Sequence, residues 1–474
     1  MSQRARLLIG LGLAAVVGAC ASSKLPQEPD AYVAASALGA ERAAEIAASP
    51  AATWLDDMNS IEMSALAREA LAGSPELQSV EARFRAARWR ARGATGSSLL
   101  PSLSVGVDGT RREEPIAGSD ERLRTEFMTS GVNARWEIDL WGRLASSARA
   151  TNLSADAMRA DFDGARLSVA GQAARGWVSL IESQQLLALA TEDLETRERA
   201  LDLTQRRYDA GIASALALRT ARSQVAAARA MHAQAQDALL IDARRLQELM
   251  GRYPDGAIRA QGQLPELAAL TAAGAPEDLL DRRPDIVAAE DRLYAAGYRV
   301  HAARAALLPR LTLSGSAGAT GEALNQIDDS ANMMTNLIAG LSMPIFQGGA
   351  LASEVQASAA DRRAAASDYV RTTLAAWREV EGAISADQSL EVREREFGIA
   401  ADEAREAQAL AEREYARGVA TLFELIDAYT RRIDAERGLI SARAARVSNR
   451  ITYHVALGGG ARTGGIDARR GAAQ

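Results

Sequence analysis

The spacing of apolar residues along the chain changes several times, and the changes come in the same order twice. From Ile61 to Ala94, the residues Leu66, Ala70, Leu77, Val80 and Phe84 recur on one helical face. Gly93, Gly96, Ser97 and Ser98 are expected to end that helix. Past Pro101 the period falls to two, with Leu103, Val105 and Val107 alternating with Ser102, Ser104, Gly106 and Asp108. The charged, proline-containing stretch Arg111 to Arg124 reads as a loop. Alternation then resumes, with Met128, Ser130, Val132, Ala134, Trp136 and Ile138 on one face. Thr129, Gly131, Asn133, Arg135, Glu137 and Asp139 occupy the other. One apolar and one polar face suit a transmembrane barrel strand, and they suit a half-buried soluble hairpin as well.

The run beyond Trp136-Glu137-Ile138-Asp139-Leu140-Trp141-Gly142-Arg143 shifts the balance between those readings. Leu144 to Tyr208 contains no proline and only Gly164, Gly171 and Gly176 as glycines. As a helix, its roughly 65 residues would extend about 100 Å, which no globular domain of this chain length needs. Tyr208-Asp209-Ala210-Gly211-Ile212-Ala213-Ser214 interrupts the run, and a second helix continues from Ala215 towards Met250. A glycine-containing break between two long helical runs predicts a helical hairpin with its tip near 208–214.

The scheme then recurs. Pro284 corresponds to Pro75, Pro309 to Pro101, and Tyr415-Ala416-Arg417-Gly418 to Tyr208-Asp209-Ala210-Gly211, all 207 to 209 residues apart. Such a constant offset predicts an internal tandem repeat. The first copy is 61–250 with a β-hairpin at 101–140. A linker at 251–276 leads to the second copy, 277–458, with a β-hairpin at 309–345 and a helical tip near 415–421. In the second hairpin Leu311, Leu313, Gly315 and Ala317 oppose Thr312, Ser314, Ser316 and Gly318. After a loop from Glu322 to Asn336, Leu337, Ala339, Leu341, Met343 and Ile345 share a face. Residues 459–474 are expected to form a flexible tail.

Composition narrows the function. Of 474 residues 48% are hydrophobic but only 4% aromatic, so alanine supplies much of the apolar count and favours close helix contacts. A net charge of -6, with Lys24 the only lysine, argues against a nucleic-acid partner. A single cysteine and three scattered histidines, His232, His301 and His454, offer no metal site, no cofactor site and no nucleophile–base pair. An enzyme is therefore not expected.

Arg4 and Arg6 precede the apolar run Leu7 to Ala19, too short to span a bilayer, so 1–19 reads as a signal peptide. Cys20, placed directly after Val17-Gly18-Ala19, resembles the lipidation site of a bacterial lipoprotein. Ala21 and Ser22 follow, which favours the outer membrane. Residues 20–60 then read as a lipid-anchored tether. Four strands cannot close a barrel, and open edges in lipid leave backbone groups unsatisfied at several kcal/mol each. Copies of the chain must therefore pool their strands if these lie in a membrane; three copies supply twelve, enough for a lumen.

Several stretches resemble the outer-membrane factors, the TolC-like exit ducts, and above all their lipidated branch. They are the octet from Trp136 to Arg143, Leu279-Leu280-Asp281-Arg282-Arg283-Pro284-Asp285-Ile286, Leu308-Pro309-Arg310-Leu311, Leu341-Ser342-Met343-Pro344-Ile345-Phe346-Gln347-Gly348-Gly349 and Ala456-Leu457-Gly458-Gly459-Gly460. They cover nearly the whole mature chain in order. The resemblance implies a homotrimer with a 12-stranded outer-membrane β-barrel continued by a periplasmic α-helical barrel. It implies a passive conduit working with a periplasmic adaptor (membrane fusion protein) and an inner-membrane pump of the resistance-nodulation-division type. Competing readings are a lipid-anchored periplasmic coiled-coil spacer, a periplasmic adaptor, and the outer-membrane component of a type I protein secretion system.

The resemblance also carries a gate. Acidic residues past the Tyr-x-x-Gly break narrow the tunnel in the family, and Glu424 and Asp427 occupy those positions. Spacing of three puts both carboxylates on one helix face. The alternative is an exposed acidic face pairing with Arg431 or Arg432. This chain departs from the family at Leu216, Ala217 and Ala420, where some members carry groups that lock the tip, and Asp209 and Arg417 are candidate substitutes. At the barrel-to-tunnel junction the expected residues are Trp136, Trp141 and Gly142, with Pro344, Gly348 and Gly349 in the second copy.

Overall fold

The computed structural model describes residues 54–55, 58–115, 120, 122–267, 270, 282–321 and 333–459. The signal peptide, Cys20, most of the tether and the tail from 460 onward lie outside the described residues. The elements are α1 (Ile61–Gly73), α2 (Pro75–Leu99), β1 (Ser102–Pro115), β2 (Arg122–Ile138), α3 (Arg143–Asp209) and α4 (Ala215–Leu249). They continue with α5 (Pro284–Ala305), β3 (Arg310–Gly321), β4 (Met333–Ser342), α6 (Ala350–Arg417) and α7 (Leu422–Ala456). Two helices in the first half and one described helix in the second lead into the same order of two strands, long helix and shorter helix. The lengths match: 67 residues in α3 against 68 in α6, and 35 in both α4 and α7. At the helical rise the long pair spans about 100 Å and the short pair about 50 Å.

The observed boundaries correct the sequence reading in five places. The single helix expected over 61–94 is two, because Pro75 lacks an N–H and starts α2 while Ser74 caps it by accepting from Leu77 N. Nor does α2 end at Gly93. Ser97 and Ser98 turn their hydroxyls onto the Ala94 carbonyl, at 3.2 and 2.6 Å, and the ladder continues to Leu99. The charged stretch from Arg111 is largely strand: Arg111 lies opposite Glu126 and Glu113 opposite Arg124, so opposite charges meet across the ladder. In the second hairpin β4 begins earlier, at Met333, and ends at Ser342. Met343 and Ile345 therefore stand outside the strand, beside a proline that has no N–H to give it. The tether, finally, is shorter than 20–60, because Trp54, Leu55 and Met58 are buried and the Trp54 ring stacks on His454 at 5.7 Å.

The four strands form one antiparallel sheet in the order β1-β2-β3-β4, so β1 and β4 are its edges. Its register keeps the two faces separate. Leu103, Ala134, Gly315 and Leu337 lie in one row, and Trp136, Leu313 and Ala339 in another. The opposite face carries Ser104, Asn133, Ser316 and Asn336 in a row, then Gly106, Gly131 and Gly318. A Cβ on Gly318 would lie 2.1 Å from the Ser130 carbonyl oxygen and 2.8 Å from Gly131 Cα. Only glycine admits so close an approach, which is how β2 and β3 bend towards each other.

Among the helices α3 packs on α1, α2, α4, α5 and α7, while α6 packs on α5 and α7. The seams are built from small residues; Ala157 and Ala160 of α3 meet Val287 and Ala288 of α5. Alanines let the helix axes approach closely, and length compensates for the small area each one buries. Among the described residues no helix is long and apolar enough to cross a membrane.

Candidate functional site

The junction between sheet and helix is held by its own polar residues. Glu137, the penultimate position of β2, forms a two-oxygen ion pair with Arg143 at the start of α3, at 2.7 and 2.8 Å. Asp139 accepts from the Ala145 N–H at 2.8 Å, satisfying a donor the helix start would leave free. Gly142 between them takes φ 70°, a left-handed turn that a side chain would strain. Trp141 donates from Nε1 to the Pro309 carbonyl at 2.7 Å, fastening the first junction to the foot of β3. In the second half of the chain Gly348 and Gly349 make the turn, with φ 61° and 80°, and Ile345 and Phe346 beside Pro344 are more than four-fifths exposed.

Two other sequence stretches meet in space. Arg283, 7% exposed, donates to the Ala456 carbonyl at 2.9 Å and pairs with Glu379 of α6 and with Asp285. Burial works against its charge, but these carboxylates hold the guanidinium above its ordinary value. The linker is tied down as well. Glu62 of α1 accepts from Trp177 Nε1 at 3.0 Å and from the backbone N–H of Gln261 and Gly262 at 2.9 and 2.8 Å. Burial pushes that carboxyl up, and the three donors outweigh it, leaving it below the ordinary carboxylate value.

At the far end, both tips turn through the predicted glycines. Gly211 has φ 76° and Gly418 φ 80°, and the N–H of the residue after each glycine returns to the preceding helix: Ile212 to Arg207 O, Val419 to Glu414 O. The matched tyrosines are not equivalent, however. Tyr208 is 41% exposed, whereas Tyr415 is 4% exposed and packs with Ala221, Leu422, Leu425 and Tyr429. The Thr204 hydroxyl donates to the Ala200 carbonyl at 2.8 Å, so the Tyr415 hydroxyl donates to Thr204 Oγ1 at 3.0 Å. Arg207 donates to the Tyr415 carbonyl at 2.8 Å and lies 4.8 Å from its ring centroid. The first helical hairpin is thereby latched to the second through Thr204, Arg207 and Tyr415. Asp209, expected as a substitute lock, accepts instead from Gln205 of its own helix at 2.9 Å. Neither Thr204 nor Arg207 carried a sequence signal beyond its place before the Tyr-x-x-Gly break, Thr204 one turn ahead of Tyr208 and Arg207 directly ahead of it.

Glu424 and Asp427 both lie on the exposed side of α7. Glu424 closes a capping box: its carboxylate accepts from the Thr421 N–H at 2.6 Å and hydroxyl at 2.9 Å. Those two bonds, the backbone one foremost, hold the carboxyl below its ordinary value. Asp427 pairs with Arg431 at 2.7 Å. Arg432 turns inward instead; it is 5% exposed and reaches Glu192 of α3 at 2.8 Å and Glu436 at 3.2 Å. Above this, Ser441 of α7 donates to Glu182 of α3 at 2.8 Å. Among the described residues no cluster of three or more His, Cys, Asp or Glu could hold a metal ion.

These elements, a four-stranded sheet continued by two long helical hairpins, match a known family. The model of the family described as outer membrane efflux protein matches residues 66–252 and again 275–459. The chain belongs to the outer membrane efflux protein family. Its relatives include the pyoverdine export outer membrane protein OpmQ of Pseudomonas putida, 32% identical over 431 residues, 88% of this chain and 90% of that one. The outer membrane protein OprJ of Pseudomonas aeruginosa is 29% identical over 460 residues, 94% of each chain. Among solved structures, the outer-membrane channel OprN superposes with a TM-score of 0.79 at 26% identity, covering 86% of this chain and 92% of its own. The Campylobacter jejuni CmeC outer membrane channel shares the fold, with a TM-score of 0.81 at 20% identity over 89% and 91% of the two chains. This efflux-family protein accordingly resides in the outer membrane and extends into the periplasm.

Proposed function

We propose that three copies of this chain assemble the exit duct of a tripartite efflux system, each half of the chain being one copy of a duplicated unit. The observation that carries this reading is the sheet. In its half next to the helices it has one apolar face through all four strands, and both edges, β1 and β4, are open. In lipid those edges must pair, and three copies closing β4 on the next chain's β1 give twelve strands around a lumen. The helices, about 100 Å long, continue the duct through the periplasm. Cys20 anchors the chain to the membrane through lipid, a periplasmic adaptor engages the tips, and an inner-membrane pump of the resistance-nodulation-division type supplies the energy. The duct itself is passive, with no catalytic residue and no cofactor. Names given to relatives, among them a pyoverdine export protein and an antibiotic efflux pump component, support an exported small molecule.

Glu424 and Asp427 are the proposed constriction. In a trimer the Glu424 carboxylates form a ring of three at the tip, favouring cations. Asp427 contributes less, since Arg431 neutralises it. Purified protein in detergent should be a trimer, and in planar bilayers it should form cation-selective channels. A monomer without conductance would restore the spacer reading. Acylation at Cys20 is read by mass spectrometry and abolished by Cys20→Ser.

A further inference from the structure

The polar face of the sheet carries a second, oppositely charged zone. A cavity of about 440 Å³ opens there, lined by serine hydroxyls of β1 and β3, the amides of Asn133 and Asn336, and the guanidinium of Arg135. Every polar side chain in that lining can donate a hydrogen bond, and no carboxylate belongs to it. The other charged residues near the junction have partners: Arg143 holds Glu137, and Asp139 is bound at the start of α3. The Arg135 side chain has no hydrogen-bond or ion-pair partner among the described residues. Arg310 stands on the same face at the foot of β3, and its Nε is buried without a hydrogen bond. Across Arg135, Arg143 and Arg310 against Glu137 and Asp139, this level of the polar face keeps one net positive charge per chain. The nearest further carboxylate along the same face, Asp108, pairs with Thr129, six residues up β2 from Arg135. That is about 20 Å, beyond the screening length of physiological salt.

We infer that Arg135 and Arg310 form a positive collar in the lumen, at the periplasmic mouth of the barrel, that receives the carboxylate or phosphate groups of anionic solutes. This rests on the exit-duct reading, since the collar exists only where three such faces surround one lumen. Guanidinium groups bind such oxyanions through paired N–H donors, and rings of arginine favour anions in pores. The duct then presents an acidic ring at the tip and a basic one at the barrel, so an anionic solute that has been pushed past the tip is drawn on towards the exit.

The test is the potassium-over-chloride permeability ratio of single channels in a salt gradient. Arg135→Gln with Arg310→Gln should raise the ratio about twofold or more in 0.1 M salt, and the difference should vanish near 1 M, where the screening length is about 3 Å. Arg135→Lys, which keeps the charge, should leave the ratio as in the natural chain. So should Arg124→Gln, whose side chain lies on the apolar face. If the double variant does not insert, Arg135→Gln alone gives the same reading, because that side chain holds nothing in place. Intact channels with an unchanged ratio would overturn the collar and leave the duct standing. Absence of channels from the natural chain would remove the duct and the collar together.

Discussion

Arg207→Ala should loosen the tunnel tip, and the size of the effect follows from what the side chain touches. Its guanidinium lies over the Tyr415 ring and donates to the Tyr415 carbonyl, both on the other helical hairpin. The site is part-buried, so the cation–π contact contributes about 1 kcal/mol. The charge-assisted hydrogen bond, discounted for its partial exposure, contributes about another. Losing about 2 kcal/mol raises the open population of a tip roughly thirtyfold, at a factor of ten per 1.4 kcal/mol. Tyr415→Phe removes one neutral bond to Thr204, worth about 1 kcal/mol, or roughly fivefold. The two variants share a contact, so the double variant should show less than the sum. Hydrogen exchange of the amides in 200–210 and 411–418 reads the loosening, and single-channel open probability reads its consequence. Unchanged exchange and unchanged open probability in Arg207→Ala would refute the latch. Arg207→Lys behaving like the natural chain would refute the stacking part alone, because lysine keeps the charge and loses the planar fork.

Other expectations follow from single contacts. Glu424→Gln should weaken block by divalent cations and so raise single-channel conductance in their presence while leaving the α7 start intact, since glutamine can still close the capping box; Glu424→Ala should match it in conductance but fray the first turn in hydrogen exchange. Glu182 is pushed above the ordinary carboxylate value, by burial foremost and by Asp242, despite the Ser441 bond. A raised native-state value means stability is greatest below the unfolded-state value and falls as pH rises through the window between the two. Glu182→Gln should therefore flatten the melting temperature across that window and raise it above, and an unaltered pH profile would exclude the carboxyl as its source. Gly318→Ala should prevent normal pairing of β2 with β3, because the added Cβ meets backbone at 2.1 Å. Loss of heat-stable trimer on a gel is the readout, and a trimer of ordinary stability would show that the sheet can flatten there.

Much of the fold was legible locally, because period and turn chemistry act over a few residues. The two-residue alternation set which side of each strand is apolar next to the helices, and there it holds across all four strands, whereas further out the same side of β1 and β2 carries Arg111, Glu113, Arg124 and Glu126. Tyr-x-x-Gly marked both helical tips, since only glycine enters the left-handed turn cheaply, and Trp-Gly-Arg marked the junction. Local rules also failed locally. Gly93 and Gly96 each cost a helix only about 1 kcal/mol, too little to stop a ladder already running.

What only the tertiary structure decided is which distant groups meet. Trp141 finds Pro309 across 168 residues, Arg283 finds Ala456 across 173, Glu62 finds Gly262 across 200, and Tyr415 finds Thr204 across 211. Nothing in the flanking residues specifies such partners, because they are brought together by the packing of α3 against five other helices. The same physics separates Tyr208 from Tyr415: identical in local sequence pattern, they differ because only the second is enclosed between the two hairpins.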